Sequence, residues 1–163
     1  MTTYYRPPSP FRVRIINPLV HFLVSRFGFG SQGEQDLMRI LRVQGRISGR
    51  LYDVPLRIAV RDGQRYILSM LGESQWARNL RVVDMAQLIV GTLAENVRAY
   101  EITGPQKSDF LLWYCQHPEY ELRARYALKV DTQHLTPAEL ERIAALYPLF
   151  HLESIPPISL ANI

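Results

Sequence analysis

The chain reads as one α+β domain, antiparallel strands with helices packed around them. Three observations predict this. Segments rich in β-branched and aromatic residues crowd the middle of a 163-residue chain, their connections read as hairpins rather than βαβ crossovers, and helical patterns lie before and after the cluster. Size and composition agree. A single core fills at about 150 residues, and 47% hydrophobic with 21% charged residues is ordinary globular composition. No repeat, low-complexity tract or shift of composition marks a boundary, so residues 1–163 are expected to form one domain.

The elements follow in order. Residues 1–16 read as an extended N-terminal arm, with Pro7, Pro8 and Pro10 among the first ten residues. From Asn17 to Phe27, an N-cap asparagine, Pro18 at the first turn and Leu19, Phe22, Leu23 and Phe27 on one side predict a short amphipathic helix, ended by Gly28 and Gly30. Leu37 to Gln44, Pro55 to Arg61 and Tyr66 to Leu71 predict three strands. Asp62-Gly63 joins the last two as a primed turn, which needs positive φ at both positions. Ser74 opens a helix through Leu80, and Ala86 to Gly91 and Asn96 to Thr103 predict two more strands. Gln106 to Cys115 and the stretch after Glu119 read as helical. Thr136-Pro137-Ala138-Glu139 is a capping box that starts a final helix ending before Pro148, and the tail is expected to be irregular.

Charge points to an anionic ligand. The net charge is +4, and Arg39, Arg42, Arg46, Arg50, Arg57, Arg61, Arg65, Arg78 and Arg81 share one stretch with only Asp53, Asp62 and Glu73 as acids. The arginines are spread through strands rather than bunched on one reading element, which argues against a nucleic-acid surface. Cys115 is the only cysteine, which excludes an intrachain disulfide and a cysteine-rich zinc site, and a reducing, cytoplasmic setting is expected. It lies in an apolar helical stretch beside Trp113 and Tyr114, the setting of a buried, inert thiol. His21, His117, His134 and His151 lack ligand spacing, so no metal site is expected.

Gly45-Arg46-Ile47-Ser48-Gly49-Arg50 lies between two strands and combines flexible backbone, a hydroxyl and two guanidinium groups. Such a loop can converge N–H groups on a phosphate and neutralise it with charge-assisted bonds. The same pattern also makes an ordinary polar turn, and it lacks the strand-to-helix context of a dinucleotide fingerprint. Ser69-Met70-Leu71-Gly72-Glu73-Ser74-Gln75-Trp76 runs from a strand end into a helix. There Trp76 either meets a planar ring or fills core.

Taken in order, Gly45-Arg46-Ile47-Ser48-Gly49, Val54-Pro55-Leu56, Asp62-Gly63-Gln64-Arg65-Tyr66 and Gly72-Glu73-Ser74-Gln75-Trp76-Ala77-Arg78-Asn79-Leu80 form a series. It resembles the deazaflavin (F420)-dependent nitroreductases, also described as F420H2-dependent quinone reductases, most closely from about Arg39 to Ile102. The resemblance implies a small antiparallel split β-barrel of the FMN-binding type, a homodimer, and transfer of hydride from reduced F420 to an electron-poor acceptor such as a quinone or nitro compound. It further implies that Arg46, Ser48 and Gly49, with Ile47 and Arg50 beside them, hold the cofactor phosphate and that Val54 and Pro55 line its ring. Ser69, Met70, Leu71 and Gly72 would add backbone contacts, and Trp76, Arg78 and Asn79 would close the site. Ile47, Tyr52 and Leu71 stand where well-known members carry cations, with Arg50 and Arg57 as neighbouring replacements. Because a single phosphate asks less positive charge, FMN is the alternative cofactor.

No general acid is marked by the sequence. Tyr52 and Tyr66 are the candidates for a hydrogen bond to the acceptor, from their neighbourhood alone. A reading from another class is a non-enzymatic carrier of flavin, haem or an apolar ligand. The helix from Pro18 to Phe27 allows a peripheral membrane contact through its apolar face, against the competing expectation that this face packs on the barrel.

Overall fold

The computed structural model describes residues 36–156. The predicted arm over residues 1–16 and the helix over Asn17 to Phe27 lie outside the described residues. Six antiparallel strands close into a barrel in the order β1-β2-β3-β6-β5-β4. They are β1 (Asp36–Gln44), β2 (Leu51–Arg61), β3 (Gln64–Leu68), β4 (Met85–Val90), β5 (Leu93–Glu101) and β6 (Leu149–Ser154). The described helices are α1 (Gln75–Val83), α2 (Gly104–Gln116), α3 (Glu121–Ala124), which continues as a π-helical turn Arg125–Lys129, and α4 (Pro137–Leu146). No described helix is long and apolar enough to cross a membrane.

The period-two pattern of β2, β3 and β6 divides their apolar residues between two cores. Leu41, Val43, Ile58, Ile67, Leu88, Val97, Phe150 and Leu152 fill the barrel together with the small Ala86 and Ala99. Ala77 and Leu80 of α1 join that interior cluster, with Trp76 packed against it, so α1 stops one end of the barrel. Trp76 lies 6.0 Å from Phe150 between ring centroids, which places it on the interior core. Residues of the opposite parity, Ala59, Tyr66, Leu68 and Leu149, face outward under α2 and α4 and build a second core with Phe110, Leu111, Tyr114 and Ile143. Cys115 is fully buried there, and desolvation pushes its thiol up to about 11, so it stays protonated and inert at neutral pH.

The hairpin at Asp62-Gly63 has φ of 52° and 74°, the primed geometry that the dipeptide predicts. Ser74 caps α1 and accepts from the Ala77 N–H, and the capping box at Thr136 and Glu139 is complete. Replacing Thr136 by alanine is expected to destabilise the protein by about 1 kcal/mol, read as a lower urea midpoint with an unchanged slope.

Besides β2, which starts at Leu51 rather than Pro55, three features differ from the sequence reading. The strand expected over Tyr66 to Leu71 ends at Leu68, because the Ser69 N–H bonds to Pro148 O (2.8 Å) and a turn closes at Gly72 with φ of 78°. The strand expected from Asn96 starts at Leu93, since Gly91-Thr92 is a tight turn directly after β4. The third is a whole element. The stretch expected to be an irregular tail contains β6, which pairs with β3 on one side and β5 on the other and thereby closes the barrel.

A candidate anion-binding site at the glycine loop

The loop between β1 and β2 is held from three sides. Within it, the Gly45 N–H bonds to Arg50 O (2.8 Å) and the Gly49 N–H to Gly45 O (2.9 Å). Gly49 has a φ of 68°, in the left-handed region that glycine enters without a steric penalty. Gly45 is buried, and a Cβ there would lie 2.6 Å from the Tyr52 ring and 2.8 Å from Ser48 Oγ, so the close approach requires glycine. From β1, Gln44 Nε2 donates to Gly49 O (3.0 Å), and from β2 the Tyr52 hydroxyl meets Ser48 Oγ at 3.1 Å.

The third hold comes from α1. Asn79 Oδ1 accepts from Arg46 Nη1 at 2.8 Å and from the Arg46 backbone N–H at 3.3 Å, and Gln75 Oε1 accepts from Arg46 Nη1 at 3.1 Å. Asn79 is buried, and Gln75 sits four residues earlier on the same helical face. The guanidinium is therefore fixed by two neutral carboxamides, which leave its charge uncompensated. Its neighbours along the stretch are spent differently. Arg42 is bidentate on Asp53 (both 2.7 Å), and Arg61 binds Asp109 (2.8 Å) with its guanidinium carbon 5.4 Å from the Trp113 ring centroid. Arg65 is bidentate on Glu95 (2.6 and 2.7 Å), a bond that holds the Glu95 carboxyl below its ordinary range. Arg81 is clamped by Glu101 and Glu73, and its hydrogen bonds to the Glu101 carboxylate drive its pKa upward.

The loop therefore offers an uncompensated cation at Arg46, the exposed Arg50, and the Ser48 hydroxyl. The N–H groups of Ile47 and Ser48 take no hydrogen-bond partner among the described residues. Ile47 is 88% exposed, so its side chain adds nothing to an anion site while its backbone N–H is free to do so. These donors are what a phosphate needs. Gln75 and Gln44 are absent from the sequence-predicted set. The i, i+4 spacing of Gln75 with Asn79 was the one signal that could have found the former.

The other predicted positions distribute unevenly. Val54 and Pro55 lie on β2 opposite Leu41 and Ile40, a few residues along from the loop. Ser69 is 1% exposed, and its hydroxyl donates to Gly72 O (2.6 Å) and lies 2.8 Å from Ser74 Oγ. The Gly72 N–H returns to Ser69 O (3.1 Å), so Ser69 and Gly72 spend these groups inside their own turn, with the partly buried Met70 and Leu71 between them. Arg78 lies 3.8 Å from Glu73. Tyr52 is at the loop, whereas Tyr66 pairs with Ala59 and packs 4.6 Å from Phe110 and 5.2 Å from His151. Seven residues of strand separate the two levels, roughly 23 Å, so Tyr52 and Tyr66 do not meet. Among the described residues no group of His, Cys, Asp or Glu is arranged to hold a metal ion.

A family model for F420H2-dependent quinone reductase matches residues 20–137. The chain belongs to that family. Reduced F420 is thus the cofactor indicated for this F420-dependent reductase fold, in agreement with the sequence resemblance. Similar solved structures include a domain-swapped dimer at 15% identity and TM-score 0.50, covering 83% of this chain and 92% of that one. An F420-H2 dependent reductase, FDR-A, is 20% identical with TM-score 0.47, covering 71% and 93% respectively. A FAD-binding protein from Mesorhizobium loti is 17% identical with TM-score 0.42, covering 72% and 82%. At these identities the likeness concerns the fold alone. A comparison with curated proteins gives no match.

Proposed function

We propose that the protein transfers hydride from reduced F420 to a small electron-poor acceptor, a quinone or nitro compound, and that the cofactor's phosphate rests on the Gly45–Arg50 loop. The observation that carries this reading is the Arg46 guanidinium, fixed by Asn79 and Gln75 without a carboxylate, beside the unpartnered N–H groups of Ile47 and Ser48. Burying a phosphate against neutral acceptors would cost free energy, whereas a pre-positioned cation and free N–H donors offset the loss of its hydration. The residues present thus fit the anionic tail of the cofactor.

When bound, F420 supplies the hydride, and the protein's part is binding, orientation and exclusion of water. Arg46, Ser48 and the loop N–H groups would anchor the tail. Val54 and Pro55 follow that anchor along β2 on opposite faces of the strand, so the side chain of one of them would line a ring. Tyr52, with its hydroxyl at Ser48, is the tyrosine beside the loop that would hold the tail. Its replacement by phenylalanine separates a role in anchoring from one in turnover.

The test is titration of the purified protein with F420 and, separately, with FMN, followed by turnover of F420H2 with menadione and with a nitroaromatic. Saturable binding of F420, weaker binding of FMN and oxidation of F420H2 by either acceptor are expected. Preferential binding of FMN would replace the deazaflavin by a flavin on the same barrel, and tight binding without turnover would make the protein a carrier.

A further inference from the structure

Tyr52 reaches the glycine loop from β2, where it pairs with Val43 of β1. Its ring edge lies over Gly45, since a Cβ on that glycine would come within 2.6 Å of Tyr52 Cε2 and 3.3 Å of Tyr52 Cδ2. Strand pairing and ring contact together fix where the hydroxyl goes. It meets Ser48 Oγ at 3.1 Å, and either oxygen can be the donor.

Counting protons and lone pairs shows what this contact does. A serine hydroxyl holds one proton and two lone pairs, and a phenol both donates and accepts. The Arg50 N–H donates to Ser48 Oγ at 3.3 Å, which fills one of those lone pairs. A phenol is a stronger acid than an alcohol and the better donor, so Tyr52 fills the second. The serine proton is then left over, and no acceptor among the described residues takes it. An anion on the free N–H groups of Ile47 and Ser48 favours the same arrangement, because the Ser48 O–H and N–H belong to one residue and can reach one oxyanion.

The contact does little for the fold. Ser48 is exposed and Tyr52 is 47% exposed, so water can replace their mutual bond at small cost. Ser48 is also the only side-chain hydroxyl between Gly45 and Arg50. The phenol thus orients the one hydroxyl that the loop can offer a ligand.

From this geometry we propose that Tyr52 is a positioning residue for the bound phosphate: its phenol holds Ser48 Oγ so that the serine proton and the Ser48 N–H meet the same anion. The inference rests on the reading that this loop holds the cofactor's phosphate. It gives Tyr52 to the cofactor tail and not to the electron acceptor.

Calorimetric titration with F420 and, separately, with inorganic phosphate tests this on full-length wild type, Tyr52→Phe, Ser48→Ala and the double variant, with the unfolding midpoint of each as a check of folding. Tyr52→Phe keeps the ring on Gly45, so a packing role alone predicts no change in affinity. A loss of about three- to tenfold is expected in Tyr52→Phe for each ligand that binds. Ser48→Ala should lose at least as much, and the double variant no more than Ser48→Ala, because the phenol acts through that serine. In turnover, the Tyr52→Phe loss is expected in the KM for F420H2 rather than in kcat. Unchanged affinity in Tyr52→Phe, losses that add in the double variant, or a loss confined to kcat overturns the inference. Phosphate separates it from the cofactor reading. Wild type that binds phosphate with this pattern of losses, but not F420, keeps Tyr52 as the positioning residue and removes the deazaflavin, whereas binding of neither ligand overturns both.

Discussion

Arg46→Ala is expected to weaken F420 binding by about ten- to a hundredfold, with little change in the unfolding midpoint. A hydrogen bond to a charged partner contributes about 1.5–3 kcal/mol, and each 1.4 kcal/mol is about a factor of ten in affinity. The guanidinium is anchored at the protein surface by Asn79 and Gln75, so its removal leaves two carboxamides that water can satisfy in part. Fold stability therefore depends little on it. Arg46→Lys separates charge from geometry. Lysine keeps the cation but cannot reach Asn79 and a phosphate with one planar fork, so an intermediate loss is expected. Asn79→Ala removes the acceptor that fixes both the Arg46 side chain and its backbone N–H. A loss of affinity in this variant, smaller than that of Arg46→Ala, would mark Asn79 as a positioning residue. Fluorescence titration at two salt concentrations reads all three, because the charge contribution is screened by salt while the positioning one is not. An unchanged affinity in Arg46→Ala would remove the phosphate from this loop.

How far the sequence carries this picture depends on the range of each interaction. Short-range devices were fully legible: the Asp62-Gly63 turn, the Ser74 cap and the Thr136 capping box each need only four residues, and each is present with the predicted geometry. The glycine loop was legible as a candidate for the same reason. Its clamp was not, since Arg46 meets Gln75 and Asn79 across 29 and 33 residues. The two tyrosines show the converse error, in which closeness in the chain suggests a shared site. Tyr52 and Tyr66 flank one hairpin, yet one faces the loop and the other packs under α2.

The strand β6 was hidden for a related reason. Leu149-Phe150-His151-Leu152 follows a helix and a proline with no turn signal of its own, and both Leu149 and Phe150 are apolar, so period-two alternation is weak. The structure explains the pair. Leu149 faces the outer core under the helices and Phe150 the barrel interior, so this strand is buried on both faces. Its partners β3 and β5 lie far away in sequence, and nothing local announces them.

Phe150→Ala should therefore be the most damaging single truncation of the barrel. The side chain is 1% exposed, and deletion of a buried phenylalanine ring costs about 3–5 kcal/mol. Set against a total stability of about 5–15 kcal/mol, that loss unfolds a sizeable fraction of the protein near its thermal limit. Urea denaturation should show it as a lower midpoint, and Phe150→Leu, which refills most of the space, should recover more than half of the difference. The ring also supports Trp76 on α1, and α1 carries Gln75 and Asn79 to the glycine loop. Protein that remains folded at low temperature is consequently expected to bind F420 more weakly than wild type, although Phe150 lies inside the barrel and away from the loop. A shift in stability below about 1 kcal/mol would mean that the barrel closes without this ring, and with it would go the account of β6 as the closing strand.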